Sequence, residues 1–168
     1  MVERVFVTGV GSISPVGLSI DETWSNIKKG VSGVDTISSF DPEGYETTFA
    51  AEATNFEPEA YIDRKQARRM DRFVQLAAAA SLEAFENSGI TINSGNADRM
   101  SVMVASGIGG IITLSEQIGV LNGRGPSRVS PFLVPMMLPD MASGQVSMLL
   151  GAKGANYCTV SACASGAD

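Results

Sequence analysis

Three times along the chain a short β-favouring run ends in a loop of glycine, serine and alanine. The runs are Arg4-Val5-Phe6-Val7-Thr8-Gly9, Ser101-Val102-Met103-Val104-Ala105 and residues 156–160, from Asn156 to Val160. After the first two, residues with helical periodicity follow the loop. Repeated β-loop-α units bury a mainly parallel sheet under helices, so the fold class is α/β. The third run leads into Ser161-Ala162-Cys163-Ala164-Ser165-Gly166, and only two further residues remain for the helix that should follow.

The helices have readable ends. Ser19 or Asp21 can cap a first helix that runs to Lys29, with Trp24 and Ile27 one turn apart and Gly30 as terminator. Between residues 71 and 88, Phe73, Leu76, Ala77, Ala80 and Ala84 share a face and Gly89 closes a long buried helix. Helical character resumes from Ile111 to Leu121, ending near Gly123, and Pro139 opens another helix that runs to Leu150. Residues 31–60 read as irregular, with residues 47–53 as a small β-arm. Residues 131–138 sit in Pro- and Ser-rich surroundings yet are too apolar for an open loop, so another surface should cover them.

Composition narrows the chemistry. Hydrophobic residues make up 44% of the 168, enough for a packed core, and one domain over residues 1–168 is expected. A net charge of -6 argues against nucleic acid or an anionic membrane as a general partner. No apolar stretch approaches the ~18 residues of a span, and the N-terminus lacks the apolar core of a signal peptide. A soluble, cytoplasmic protein in a reducing compartment is expected. There is no histidine, which removes the commonest general base and the middle member of a Ser-His-Asp or Cys-His triad. With two cysteines and no histidine, a four-ligand zinc site is excluded and no metal is expected.

Cys158 lies inside the third strand and reads as a small buried hydrophobe. Residues 158–161, if extended, span ~10 Å, beyond the ~7 Å Cα limit of a disulfide, so the two thiols should not pair. Cys163 stands where a strand turns into a helix among side chains small enough for a sharp elbow. There it is either a structural residue or a thiol activated by helix-terminal N–H groups. Arg64, Lys65, Arg68, Arg69 and Arg72 gather five of the twelve cations within nine residues. On a helix they fill an arc of ~140°, either a solvated face or a dock for an acidic partner. Gly9-Val10-Gly11 lacks the third glycine of a dinucleotide fingerprint. Gly107-Ile108-Gly109-Gly110 lacks the lysine of a P-loop, and its glycines instead let the backbone pass close to a ligand or neighbour.

Taken together, Val7-Thr8-Gly9-Val10-Gly11 with Ser14-Pro15-Val16-Gly17, Arg64-Lys65 with Arg68-Arg69-Met70-Asp71, Gly107-Ile108-Gly109-Gly110, Ser130-Pro131-Phe132 with Val134-Pro135, and Ser161-Ala162-Cys163-Ala164-Ser165-Gly166 resemble the β-ketoacyl-acyl-carrier-protein synthases. The elongating synthase II type of dissociated fatty-acid synthesis is the nearest. The likeness runs almost collinearly from Val5 to Gly166 and covers the N-terminal half of that family. It implies a thiolase-like fold, here a five-stranded, mixed but mainly parallel sheet with helices on both faces, and a C-terminal half that this sequence lacks.

By that resemblance Cys163 accepts the growing acyl chain, and a carbanion from decarboxylated malonyl-acyl carrier protein attacks the acyl-enzyme in a Claisen condensation. Two histidines and one oxyanion donor belong to the C-terminal half, so residues 1–168 alone are expected to be inactive. Gly107, Ile108, Leu133, Val134 and Ala162 match acyl-pocket positions, with Leu133 in place of an expected aromatic residue. Arg64, Lys65, Arg68 and Arg69 match the dock for acyl carrier protein. The phosphopantetheine arrives on that carrier, and no cofactor resides on the enzyme. The resemblance also implies a homodimer through residues 156–160. The rivals are a non-condensing, chain-length-factor-like subunit, which would lack the cysteine, an initiating synthase or thiolase using acyl-coenzyme A, and a cysteine hydrolase, for which this chain has no base.

Overall fold

The computed structural model describes residues 4–167. In chain order its elements are α1 (Ile20–Lys28), β1 (Val34–Thr36), β2 (Phe49–Ala51), α2 (Arg64–Ala67), α3 (Arg72–Ser88), β3 (Val102–Met103), α4 (Ile111–Arg124), α5 (Leu133–Met137), α6 (Met141–Leu150) and β4 (Asn156–Tyr157). Single 3-10 turns lie at Pro58–Ala60, Ala97–Arg99, Pro126–Arg128 and Ala162–Ala164. They belong to two compact units. One comprises the residues up to Glu57 with Ala79–Ile90, and the other Pro58–Ala78 with the residues from Thr91 onward.

In the first unit the strand expected at residues 4–9 does not form. Val5, Phe6 and Val7 are 96%, 73% and 84% exposed and pair with no strand among the described residues. β-propensity favours a pleated surface but does not supply the neighbouring ladder. The glycine loop after this run rests on the C-terminal part of α3. A Cβ at Gly9 would strike the Ala84 carbonyl oxygen, and one at Gly11 the Ala80 carbonyl oxygen. Glu83 Oε2 accepts from the Ser12 N–H and its Oε1 from the Ile20 N–H, each at 2.8 Å. The Asn87 side-chain amide donates to the Val10 carbonyl at 2.8 Å.

α1 begins as expected. The Ser19 hydroxyl accepts from the Glu22 N–H at 3.2 Å, and the Glu22 carboxylate accepts from the Leu18 N–H at 2.8 Å. Trp24 and Ile27 are exposed, and the residue this helix buries is Thr23. The β-arm is a pair: β1 runs antiparallel to β2, with Val34 opposite Ala51. The β1 strand was not expected.

In the second unit, β3 and β4 form a parallel pair with Val102 opposite Asn156 and Met103 opposite Tyr157. The described residues thus hold two two-stranded sheets where a five-stranded one was expected. Both strands are shorter than the runs 101–105 and 156–160, and Met103 is exposed, not buried. Beneath them Ser143 of α6 is wholly buried. Its hydroxyl accepts from the Val104 N–H at 2.9 Å and donates to the Tyr157 carbonyl at 2.8 Å. Ile62, Ala67, Met70, Val74, Ala78, Ala142 and Val146 form the core here. A fully buried valine such as Val74 contributes ~1.5–3 kcal/mol.

Three helix expectations need correction. The buried line of α3 in this unit is Val74 with Ala78, one position along from the expected Phe73 and Ala77, which are partly buried. Alanine-rich faces differ so little in hydropathy that the sequence leaves the rotation loose. α4 continues through Gly123 to Arg124 and stops at Gly125, whose φ of +82° suits glycine. The apolar stretch 131–138 is not a loop but holds α5, with Phe132, Val134 and Leu138 exposed.

Candidate active site

The second unit brings the candidate residues together through two loops. β3 leads into Ser106–Gly110, where the Ser106 hydroxyl accepts from the Gly109 N–H at 2.9 Å. Gly109 has a φ of +82°, and the Gly110 N–H donates to the Met137 carbonyl at 3.0 Å. Cβ atoms at Gly109 and Gly110 would collide with the Met137 and Met136 carbonyl oxygens, so these glycines let the loop lie against the end of α5. Gly107 faces Ala162, since a Cβ there would sit 3.1 Å from the Ala162 carbonyl oxygen. The loop therefore touches both the segment carrying Leu133 and Val134 and the turn carrying Cys163. Ile108 and Val134 are exposed and Leu133 is half-buried.

β4 leads past Cys158, which lies just beyond the strand, half-buried, with its Sγ 3.3 Å from the Thr159 carbonyl oxygen. Cys163 is exposed, and both thiols are free. The residue before Cys163, Ala162, has a φ of +53°, the only positive φ outside glycine among the described residues. Such a backbone costs an L residue ~1–2 kcal/mol and marks a deliberate turn. Ser165 holds it. This residue is 5% exposed, and its hydroxyl accepts from the Ser161 N–H at 2.9 Å and donates to the Ala162 carbonyl at 2.7 Å. The Thr159 hydroxyl donates to the Ser165 carbonyl at 3.2 Å.

Among the described residues, no group accepts from the Cys163 N–H. An exposed thiol beside its own unengaged amide can attack a carbonyl and offer one donor to the oxygen that becomes negative. The helix expected after Cys163 is, among the described residues, the single 3-10 turn Ala162–Ala164. No cluster of three His, Cys, Asp or Glu side chains able to hold a metal lies among those residues.

The five cations do not share one helix. α2 ends at Ala67, Arg68 to Asp71 form a break, and Arg72 starts α3. The Gln75 side-chain amide spans that break, donating to the Ala67 carbonyl at 3.0 Å and the Met70 carbonyl at 3.2 Å. Arg64, Lys65, Arg68 and Arg69 are exposed around an open hollow that Asp63 also lines. Arg64 Nε lies 3.3 Å from Glu59 Oε1, and the Arg69 guanidinium sits 4.6 Å from the centre of the Phe132 ring. Arg72 is half-buried and does not line this hollow.

Asp71 is buried at the break. Its carboxylate accepts from the Phe73 N–H at 3.2 Å and the Thr113 N–H at 2.8 Å, tying the starts of α3 and α4. Neither Asp71 nor Ser165 stands out in the sequence as a site residue. An Asp just before an apolar helix was the one available signal for the former.

The model of the family described as "Beta-ketoacyl synthase, N-terminal domain" matches residues 2–168. The chain belongs to the β-ketoacyl synthase family. Among curated β-ketoacyl synthases, 3-oxoacyl-[acyl-carrier-protein] synthase 2 of Staphylococcus aureus (strain COL) is 50% identical over 166 residues, which are 99% of this chain and 40% of that protein. The chain thus spans 40% of the length of the curated relatives it matches. A β-ketoacyl synthase from Burkholderia phymatum STM815 superposes with a TM-score of 0.78 at 26% identity, covering 99% of this chain and 41% of that one. The ketosynthase structure entitled a type II PKS acyl-carrier protein in complex with its ketosynthase gives a TM-score of 0.71 at 21% identity, over 90% of this chain and 40% of that one. The α/β, thiolase-like fold implied by the motifs is therefore the fold of this β-ketoacyl synthase chain. Among the described residues no helix is long and apolar enough to cross a membrane.

Proposed function

We propose that this protein lengthens acyl chains by decarboxylative Claisen condensation in cytoplasmic fatty-acid synthesis, with Cys163 as nucleophile. The observation that carries the reading is the elbow, where a positive φ at Ala162 precedes an exposed thiol with an unengaged N–H. The sulfur attacks the carbonyl of an acyl thioester on an acyl carrier protein, and the pantetheine thiol leaves with the proton. Malonyl-acyl carrier protein loses carbon dioxide, and the electron pair of the broken bond attacks the acyl-enzyme carbonyl. The Cys163 sulfur departs, and the product is a β-ketoacyl thioester two carbons longer. The phosphopantetheine belongs to the carrier, so the reading needs no resident cofactor.

Gly107, Ile108, Leu133, Val134 and Ala162 border the acyl chain in this reading, supported by the way the 106–110 loop lies against both α5 and the elbow. The decarboxylating histidines come from a C-terminal half of the synthase, since none is present in these residues. Exposed Tyr157 and Val160 are consistent with a homodimer through residues 156–160. Arg64, Lys65, Arg68 and Arg69 dock the acidic carrier, supported by their exposure around one hollow and by the acyl carrier protein with which the relatives are paired.

The test is to treat the complete synthase with a thiol-directed acyl analogue and map the adduct by peptide mass. Modification of Cys163 is expected, while modification of Cys158 alone would overturn the assignment. Arg68→Glu and Arg69→Glu should raise the KM for carrier several-fold, by a factor that shrinks as salt is added.

A further inference from the structure

We infer that Ser165 is a positioning residue for the nucleophile, its buried hydroxyl holding Ala162 at positive φ so that Cys163 is turned outward. The inference rests on Cys163 being the nucleophile. Three hydrogen bonds from Ser165 straddle the strained residue. The hydroxyl accepts from the N–H of Ser161, just before Ala162, and donates to the carbonyl of Ala162 itself. The Ser165 N–H reaches that same carbonyl at 3.2 Å.

A hydroxyl carries one proton and two lone pairs, and here donor and acceptor capacity are both in use. Alanine could do neither task. Without the hydroxyl the Ser161 N–H loses its bond to Ser165 and the Ala162 carbonyl keeps only the longer bond from the Ser165 N–H, so less opposes the cost of a positive φ at a residue with a Cβ. Ala162 then relaxes toward negative φ, which rotates the following peptide and moves both the Cys163 thiol and its amide. The Thr159 hydroxyl on the Ser165 carbonyl fixes Ser165 in turn, so the hold runs from before the elbow to after it.

Glycine at position 162 separates this role from simple packing, because glycine takes positive φ without the steric cost. In the complete synthase, Ser165→Ala should slow acylation of Cys163 by ~10–100-fold, the scale of a misplacement near 1 Å, with the KM for carrier unchanged. Adding Ala162→Gly to that variant should bring the rate back to within ~3-fold of the parent. If Ser165→Ala acylates at the parent rate, or if the double variant stays as slow as the single one, the inference fails.

Should Ser165→Ala not fold, Ser165→Cys keeps the volume but donates weakly. It should be slow and rescued by Ala162→Gly, and a parent-like rate would likewise refute the role. Alkylation of Cys163 by iodoacetamide reads the same geometry with neither carrier nor acyl chain, and it should follow the same order of variants. If the parent takes no acyl group at Cys163 while alkylation still depends on Ser165, the nucleophile reading falls and the positioning stands.

Discussion

The Glu52 carboxylate accepts from the Ser38 N–H at 2.8 Å, the Ser38 hydroxyl at 2.9 Å and the Ser39 N–H at 3.3 Å. The Ser39 hydroxyl, the Ser38 N–H and the Ser38 hydroxyl all favour its ionised form and hold its carboxyl at about 2, against 4.5 for an unperturbed glutamate. Because the folded value lies below the unfolded one, Glu52 supports the 38–39 turn fully above pH 4.5. That support is lost as pH falls through about 2. Following the carboxyl carbon by NMR should give a midpoint near 2, and Ser38→Ala with Ser39→Ala should return it toward 4.5. At this scale the turn at Cys163 was legible, because small residues after a β-favouring run permit a sharp bend, while spacing alone left the role of the thiol open. Ser165 and the strain at Ala162 were not. In a run of Ala, Ser and Gly a hydroxyl that bonds only to backbone atoms leaves no signature, and φ is not written in residue type.

Elements repeat the lesson at larger size. The N-cap of α1 and the glycines after α1 and α3 were readable, since Ser19, Gly30 and Gly89 act through local backbone geometry. The break between α2 and α3 was not, because Arg64 to Arg72 holds no proline or glycine. Asp71 follows that break with bonds to the starts of α3 and α4, and Gln75 closes the loose carbonyls before it. Asp71→Ala strips the Thr113 N–H of a buried acceptor along with the local cap. It should cost ~1–3 kcal/mol, read as a lower denaturant midpoint at unchanged m-value. Asp71→Asn keeps one acceptor oxygen but sets an NH2 against the other N–H, so it should recover only part of that loss. α5 escaped the sequence reading because five residues containing Pro135 fall below any periodicity window.

At the scale of the whole molecule, the α/β class followed from the recurrence of strand, loop and helix, and the thiolase-like fold from the resemblance carried by the motifs. The five-stranded sheet did not, since ladders depend on which edges meet, and the 5–7 run has no partner among the described residues. Hydrogen exchange on the 168-residue chain should therefore find the Val5, Phe6 and Val7 amides unprotected, while those of Val102 and Val104, bonded to the Ala155 carbonyl and the Ser143 hydroxyl, exchange more slowly. Protection of the 5–7 amides would mean that this run finds a ladder after all. Ser143 carries a wider consequence. One hydroxyl of α6 pins the backbones that continue into the glycine loop on one side and the cysteine turn on the other. A displacement of that single pin moves the glycine loop and the cysteine turn in step, so their spacing is kept while their position wanders.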